Sequence, residues 1–365
     1  MNTTQEVNTE VGVGLMKIAI DMHLRSFRVV RQLDFSTPQP AQKFPPEQFY
    51  RWLERQLKLA ERVVVAYEAG CFGYGPARHM EQMGAEVLVI APQNWDEQSK
   101  RQVNDKFDAQ MICLRMSEYL NGHKRALTVV RVPSAQEEQR RAEARLRGQL
   151  RKQLRRMQAM GRSLLLSQGK AVSGQWWKGR TWEQIGREMS GWVVEALTLW
   201  KELIEAIEAK AKKLEAELRA AAPKEKLFVG EGALTHELFE RELIDPHRFK
   251  NARQVGNYFG MCPSESTSDG DRRQGSITKH GNPRLRQLII ELAWRVVFFQ
   301  PQYRGVKKWA HVLGNKSASA SAKKKAIVAL GRQLAVDLWR MATGKVSAEA
   351  LGLRMVLPLE QPACA

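Results

Sequence analysis

Leu15 to Ile20 is a short apolar run closed by Asp21, and Ser26 to Leu33 alternates around β-branched residues, so the two predict a pair of strands. Pro38 to Pro46 is proline-rich and predicts a linker. Beyond it Phe49, Trp52, Leu53, Leu57 and Leu59 recur at roughly helical spacing up to Arg62. Arg62 to Ala66 is a continuous β-branched run of the kind buried inside a parallel sheet, and it leads directly into Tyr67, Glu68, Ala69 and Gly70. A helix over about Gly75 to Met83 and a second buried strand over Glu86 to Ile90 follow, closed by Ala91-Pro92. This alternation predicts an α/β domain.

From Ser134 to about Arg162 the pattern becomes helical and cationic. Residues 140 to 162 hold nine Arg/Lys, namely Arg140, Arg141, Arg145, Arg147, Arg151, Lys152, Arg155, Arg156 and Arg162, against one acid, Glu143. A Gly/Ser/Trp-rich hinge spans Ser167 to Trp182. Leu203, Ile207, Ala211, Leu214 and Leu218 then keep coiled-coil spacing, which suits a helical hairpin packed on itself as well as a dimer seam. Trp176, Trp177, Trp182, Trp192 and Trp200 suit an interface or stacking on bases. From about Lys226 the chain reads as mostly helical with one polar loop, Pro263 to Gly281. Asn282 as N-cap and Pro283 at the first helical position then start a helix running to about Phe299. A basic and apolar helix over Lys323 to Met341 precedes a loose tail. The expected organisation is a flexible tail (1–15), an α/β domain (16–132), a basic helical and coiled-coil segment (133–225), a mostly α C-terminal domain (226–345) and a second tail (346–365).

Composition narrows the partners. The 365 residues suffice for two or three domains, and 43% hydrophobic with 27% charged residues excludes a wholly disordered chain. The most apolar stretch, Leu288 to Phe299, contains Glu291 and Arg295 and falls well short of the roughly 20 residues that span a bilayer. Met1 to Gly14 shows no secretory pattern, so a cytoplasmic protein with no membrane association is expected. The four cysteines, Cys71, Cys113, Cys262 and Cys364, lie far apart and suggest neither disulfides nor a zinc knuckle. The net charge of +19 points instead to a polyanion, with nucleic acid as the first partner.

Two constellations carry candidate chemistry. Asp21 closes the first strand, Glu68 closes a central buried strand, and Asp105 and Asp108 lie on the helix after the last strand. Strand ends are where open α/β sheets gather functional groups, and an i, i+3 pair shares a helix face. Carboxylates crowded together require a cation. Mg²⁺ suits such hard oxygen donors and would stabilise the attacking and leaving oxygens of a phosphodiester. The second constellation is the polar loop, where Ser264, Ser266, Ser268 and Ser276 sit beside Arg272, Arg273, Lys279, His280 and Arg284. Its cations would bind phosphate, and a hydroxyl would attack phosphorus to form a serine ester with DNA.

These residues resemble a known family. The order Asp21, Glu68, Asp105, Asp108 is similar to the DEDD tetrad of insertion-sequence transposases related to the pilin-inverting recombinases, whose N-terminal domain has the RuvC-like (RNase H-like) fold. The C-terminal likeness is more specific: Asn257-Tyr258-Phe259-Gly260-Met261-Cys262-Pro263-Ser264-Glu265, then Gly275-Ser276-Ile277-Thr278-Lys279-His280-Gly281-Asn282, then Leu285-Arg286. It resembles that family's transposase domain, which reads GLxPSE, SG, GxITKxGN and LR. The resemblance covers about residues 16 to 345. It implies Mg²⁺ at the acidic tetrad, a serine nucleophile at Ser268, and two sites brought together across the subunits of a homodimer or tetramer. In RNA-guided members it also implies a bridge RNA that pairs with donor and target DNA. The sequence departs from the pattern at Asp269, which separates Ser268 from Gly270 and leaves Ser266 as an alternative nucleophile, and at Val103-Asn104, where a Lys-Thr type pair is usual. Gly230-Glu231-Gly232 matches the family's GxG only loosely.

The leading expectation is therefore an enzyme, a DNA transposase or recombinase. Arg140, Arg141, Arg145, Arg147, Arg151, Lys152, Arg155 and Arg156 are candidate contacts to DNA or a guide RNA, with Arg272, Arg273, Lys279 and Arg286 in the C-terminal domain. Two further readings stay open: a metal-dependent junction endonuclease with no serine intermediate, and a non-catalytic nucleic-acid-binding scaffold.

Overall fold

Strand β1 (Val13–His23) pairs antiparallel with β2 (Ser26–Leu33), and β2 pairs antiparallel with the short β3 (Gln42–Phe44). Helix α1 (Pro46–Gln56) returns the chain so that β4 (Ala60–Glu68) lies parallel to β1. Helix α2 (Gly75–Gln82) does the same for β5 (Glu86–Ile90), parallel to β4. The result is a five-stranded mixed sheet in the order β3-β2-β1-β4-β5. The computed structural model describes residues 13–92, 105–223, 226–268 and 271–356, with 105–107, 266–268 and 271–274 described as backbone. The chain divides into two compact units, Met1–Ser134 and Ala135–Ala365.

The two-residue period of the strands sorts the first unit's core into two layers. Met16, Ile18, Ile20, Val63, Val65 and Tyr67 pack with Phe49 and Leu53 of α1 and Ala77 and Met80 of α2. Ala19, Val30, Val64, Ala66 and Ile90 pack with Ala109, Ile112, Cys113 and Met116 of α3 (Asp105–Leu120). Strand β3 falls inside the stretch expected as a linker. It is a three-residue edge strand of Gln42, Lys43 and Phe44, too short and too polar to carry an alternating signal.

In the second unit α4 (Ala135–Ser167), α5 (Gly179–Glu188) and α6 (Gly191–Ala221) form a helical hairpin. Ala144 near the start of α4 clusters with Leu218 near the end of α6, while Leu154 and Leu165 share a core with Val193, Leu197, Ile204, Ala211, Trp176 and Trp177. The helices are therefore antiparallel. The buried stripe of α6 runs through Ile204, Ala211 and Leu218, whereas Leu203, expected on the seam, is 49% exposed.

The remaining elements are α7 (Ala233–Leu243), α8 (Ala252–Tyr258), β6 (Pro263–Ser268), β7 (Asp271–Ile277), α9 (Pro283–Phe299), α10 (Arg304–Leu313), α11 (Ala320–Ala342) and α12 (Ala348–Leu351). Ile289, Leu292 and Val296 of α9 and Ile327, Leu330 and Leu334 of α11 make the centre of a single core with Phe239, Val255, Phe259 and Tyr303. Helix α9 starts as its sequence predicts: the Asn282 side chain accepts from the backbone N–H groups of Arg284 and Leu285, with Pro283 in the first turn.

Two expectations change here. The polar loop from Pro263 is a two-stranded antiparallel hairpin, invisible to hydropathy because its strands alternate no apolar residues. Residues 346–356, expected to begin a loose tail, pack on the unit: Leu351 and Leu353 are buried, and Met355 bridges Phe228.

Candidate catalytic and nucleic-acid-binding sites

The acidic residues of the first unit follow from strand register. Ile20 of β1 pairs with Tyr67 of β4, so Asp21 and Glu68 come one step later on neighbouring parallel strands. Glu68 pairs with Ile90, which belongs to the core under α3, and Asp21 follows Ala19 of the same layer by two residues. Both acids therefore continue the face that α3 covers. Asp108 adjoins Ala109 in the first turns of α3, and Asp105 stands one helical turn before Ala109. The side chain of Asp105 lies outside the described residues, as do Val103 and Asn104. Asp21 Oδ2 lies 2.9 Å from His23 Nε2. Lys17, two further residues back along this face from Ala19, is buried, and its Nζ donates to the Asp34 carbonyl at 2.8 Å. Burial pulls the Lys17 ammonium below its ordinary value against the opposing pull of Cys113 and Asp34. Burial also pushes the Cys113 thiol up to about 12, which makes it inert.

Among the described residues no three His, Cys, Asp or Glu side chains stand together closely enough to hold a metal ion. Asp21, Glu68 and Asp108 offer only carboxylate oxygens, a donor set that suits a hard divalent cation, and a closed site would need Asp105 as well.

In the second unit the β6–β7 register sets Ser266 opposite Arg273, Thr267 opposite Arg272 and Ser268 opposite Asp271, with 269–270 outside the described residues. The side chains of Ser266, Ser268, Arg272 and Arg273 also lie outside them. The base of the hairpin is tightly specified. Ser264 Oγ donates to the Ser276 carbonyl at 3.0 Å, and a Cβ at Gly275 would stand 2.4 Å from that Oγ. The Lys279 N–H donates to the Gly260 carbonyl at 3.0 Å, and a Cβ at Gly281 would lie 2.4 Å from the Gly260 nitrogen, so these backbones touch only because both residues are glycine. Arg286, expected to meet nucleic acid, donates to the carbonyls of Phe259 at 2.9 Å and Lys279 at 3.2 Å. Lys279 itself is exposed.

The cations of the basic helix α4 fall into two environments. Arg140 meets Glu237 at 2.9 Å, Arg145 meets Glu242 at 2.6 Å, and Arg147 and Arg151 meet Glu215 at 2.9 and 2.6 Å. The three glutamates are buried, so these four arginines neutralise acids of α6 and α7. The Arg151 hydrogen bond holds Glu215 below the usual carboxylate range. For Glu237, burial pushes the other way and is outweighed by Arg241 and Arg140. Lys152, Arg155 and Arg156 are exposed, and Lys152 and Arg155 line a cavity of about 620 Å³ with Arg284. Arg141 is half-buried. Trp176 and Trp177 fill the hairpin core, whereas Trp192 is 57% exposed.

A groove that sequence reading did not single out lies between β7, α10 and α11. It measures about 1060 Å³, with Lys308, Trp309, Lys324, Lys325 and Arg332 on its walls. The one advance signal was the run Lys323-Lys324-Lys325.

Comparison with known proteins gives the family. Residues 229–307, from the loop before α7 to the start of α10, match the model described as Transposase IS116/IS110/IS902 family. A Sinorhizobium fredii protein named as a transposase, y4rJ, is 30% identical over 322 residues, 78% of each chain. The chain belongs to the IS116/IS110/IS902 transposase family. The transposase for insertion sequence element IS1328 of Yersinia enterocolitica is 25% identical over 338 residues, 89% of this chain and 96% of that one. A probable family 20 transposase of Pseudomonas aeruginosa is 26% identical over 274 residues. The matched segment of this transposase therefore contains the β6–β7 hairpin and α9. No helix among its described residues is long and apolar enough to cross a membrane.

Proposed function

We propose that this transposase cuts and rejoins DNA with a serine nucleophile on the β6–β7 hairpin and a divalent cation at the β1 and β4 strand ends. The observation that carries the reading is the register of Asp21 and Glu68 on adjacent parallel strands, on the face covered by the helix that bears Asp105 and Asp108. The sheet order, three antiparallel strands continued by two parallel ones, supports a RuvC-like first domain. Asp21, Glu68, Asp105 and Asp108 are the residues that would hold Mg²⁺, which supplies charge stabilisation to attacking and leaving oxygens.

In the second unit Ser268 Oγ attacks a DNA phosphorus. The Oγ–P bond forms as the P–O bond to a deoxyribose oxygen breaks, and that oxygen leaves as a hydroxyl after taking up a proton. Attack by the hydroxyl of another strand reverses the step, joins the strands and frees the serine. Arg272 and Arg273 follow Asp271, the register partner of Ser268, along β7 and would balance phosphate charge. The exposed Lys152, Arg155 and Arg156 are the α4 cations left for a guide RNA, and assembly as a homodimer or tetramer would bring the serine of one copy to the acids of another.

The test is a denaturing gel of the full chain incubated with Mg²⁺, RNA from the flanks of the gene and labelled DNA carrying those flanks. A covalent protein–DNA band that disappears in Ser268→Ala and persists in Ser266→Ala is expected. Free cleaved ends with no covalent band would replace this reading with metal-dependent hydrolysis.

A further inference from the structure

The groove between β7, α10 and α11 combines three features that a surface facing only water does not need. Its first feature is uncompensated charge. Arg304 and Arg340 also line it, but both are held by the buried Asp337, Arg304 Nε at 3.1 Å and Arg340 at 3.6 Å. Among the described residues no carboxylate pairs with Lys308, Lys324, Lys325 or Arg332, so four cations face a single depression.

The second feature is an apolar floor. Ile277, Val328 and Val336, each half-buried, line the groove beside these cations, and Val328, Arg332 and Val336 share one stripe along α11. The third is Trp309, half-buried at the groove wall, with Lys308 Nζ 5.9 Å from its ring. The Trp309 indole N–H is buried and has no hydrogen-bond partner among the described residues.

Phosphates need cations, and a duplex would satisfy them from outside. A duplex offers no base face to an apolar floor or an indole, because its bases are stacked within. An unpaired strand offers both, with its phosphates on the cations and its bases against Trp309 and the floor. The volume of about 1060 Å³ lies at the top of the range of ordinary ligand pockets and leaves room for a short stretch of strand. We infer that this groove binds an unpaired segment of DNA strand, with Trp309 stacking a base and Lys308, Lys324, Lys325 and Arg332 taking the flanking phosphates. The edge of the groove is Gly275 to Ile277 of β7, the strand paired with the one that carries Ser268. A strand seated here is thereby led onto the hairpin. The identity of the nucleic acid as DNA rests on the function proposed above, whereas the preference for an unpaired strand rests on the groove alone.

The test uses the full-length Ser268→Ala protein, which separates binding from cleavage, and fluorescence anisotropy with labelled oligo(dT), oligo(rU) and a mixed-sequence duplex. Single-stranded DNA should bind more tightly than either competitor. Trp309→Ala should weaken oligo(dT) roughly 5- to 150-fold, the range of one missing base–aromatic stack, while Trp309→Phe retains most of the affinity. Lys324→Gln with Lys325→Gln should lower the slope of log K against log[salt] by about 0.7 for each phosphate no longer neutralised. Circular dichroism of each variant confirms that the fold is kept. Equal or tighter binding of duplex, a preference for oligo(rU), or oligo(dT) affinity unchanged in Trp309→Ala would each overturn the inference. These results do not depend on a covalent adduct, so absence of the serine ester in the wild type would overturn only the catalytic reading.

Discussion

Gly161 of α4 lies so close to the indole of Trp176 that a methyl group on its Cα would stand 2.0 Å from Cζ2 of the ring. Trp176 is fully buried, and its Nε1 donates to the Gln158 carbonyl at 2.9 Å, so the ring cannot swing away without losing both its packing and its bond. Gly161→Ala should therefore destabilise the second unit by about 3 kcal/mol through overpacking. That corresponds to a melting temperature roughly 6–12 °C lower. In a Trp176→Ala background the same substitution should cost less than about 0.5 kcal/mol, because its collision partner is gone. Thermal unfolding of the four proteins measures the coupling. A Gly161→Ala protein as stable as the wild type would mean that the indole does not sit against α4.

Glu215 ties α6 to α4 by accepting from Arg147 and Arg151. Its folded pKa is lowered, chiefly by the Arg151 hydrogen bond. The stabilisation is therefore complete above the ordinary carboxylate value and fades as pH falls through the lower folded value. Glu215→Gln should cost about 2 kcal/mol at neutral pH, and the difference from wild type should shrink as the pH is taken below about 4. Urea denaturation at a series of pH values gives both numbers. A difference independent of pH would remove the charge from the explanation.

Asp21→Asn and Glu68→Gln should reduce Mg²⁺-dependent strand cleavage to background while leaving the circular dichroism spectrum and DNA affinity as they are. Thermal shift with Mn²⁺ gives a second reading, since an ion bound only by the folded state raises the melting temperature with its concentration. That rise should be present in the wild type and absent from both variants. Cleavage retained in both would dismiss the strand-end acids from the chemistry.

Local rules carried the sequence reading where a residue's neighbours in the chain decided its fate. The bounds of β2 and β5 follow from β-branched runs, and α9 begins at the Asn282-Pro283 signal that caps it. Strand register was also within reach, because Asp21 and Glu68 each end a buried run on adjacent parallel strands. Partnerships across long separations were not. Nothing near Arg145 announces Glu242, its partner 97 residues away, so a helix that reads as a nucleic-acid surface has four of its arginines turned to internal acids. The β6–β7 hairpin escaped for a different reason: its pairing is made by backbone groups, and its side chains are polar throughout. The groove escaped because Ile277, Trp309 and Arg332 come from three separate elements, and only the packing of α11 against its neighbours makes them one surface.

One buried side chain joins the two ends of the core that α7 to α12 build. Gln300 Nε2 donates to the carbonyls of both Val229 and Arg354, and its Oε1 accepts from the Arg354 N–H. Val229 opens the stretch that matches the family, and Arg354 lies in the segment beyond α11. A frameshift or premature stop ahead of the Arg354 codon would therefore do more than shorten the product. It would strip Gln300 of its bonds to Arg354 and remove the Met355 bridge from Phe228. Loss of the codons from Arg354 onward would then unsettle the same core that the family-matching stretch builds.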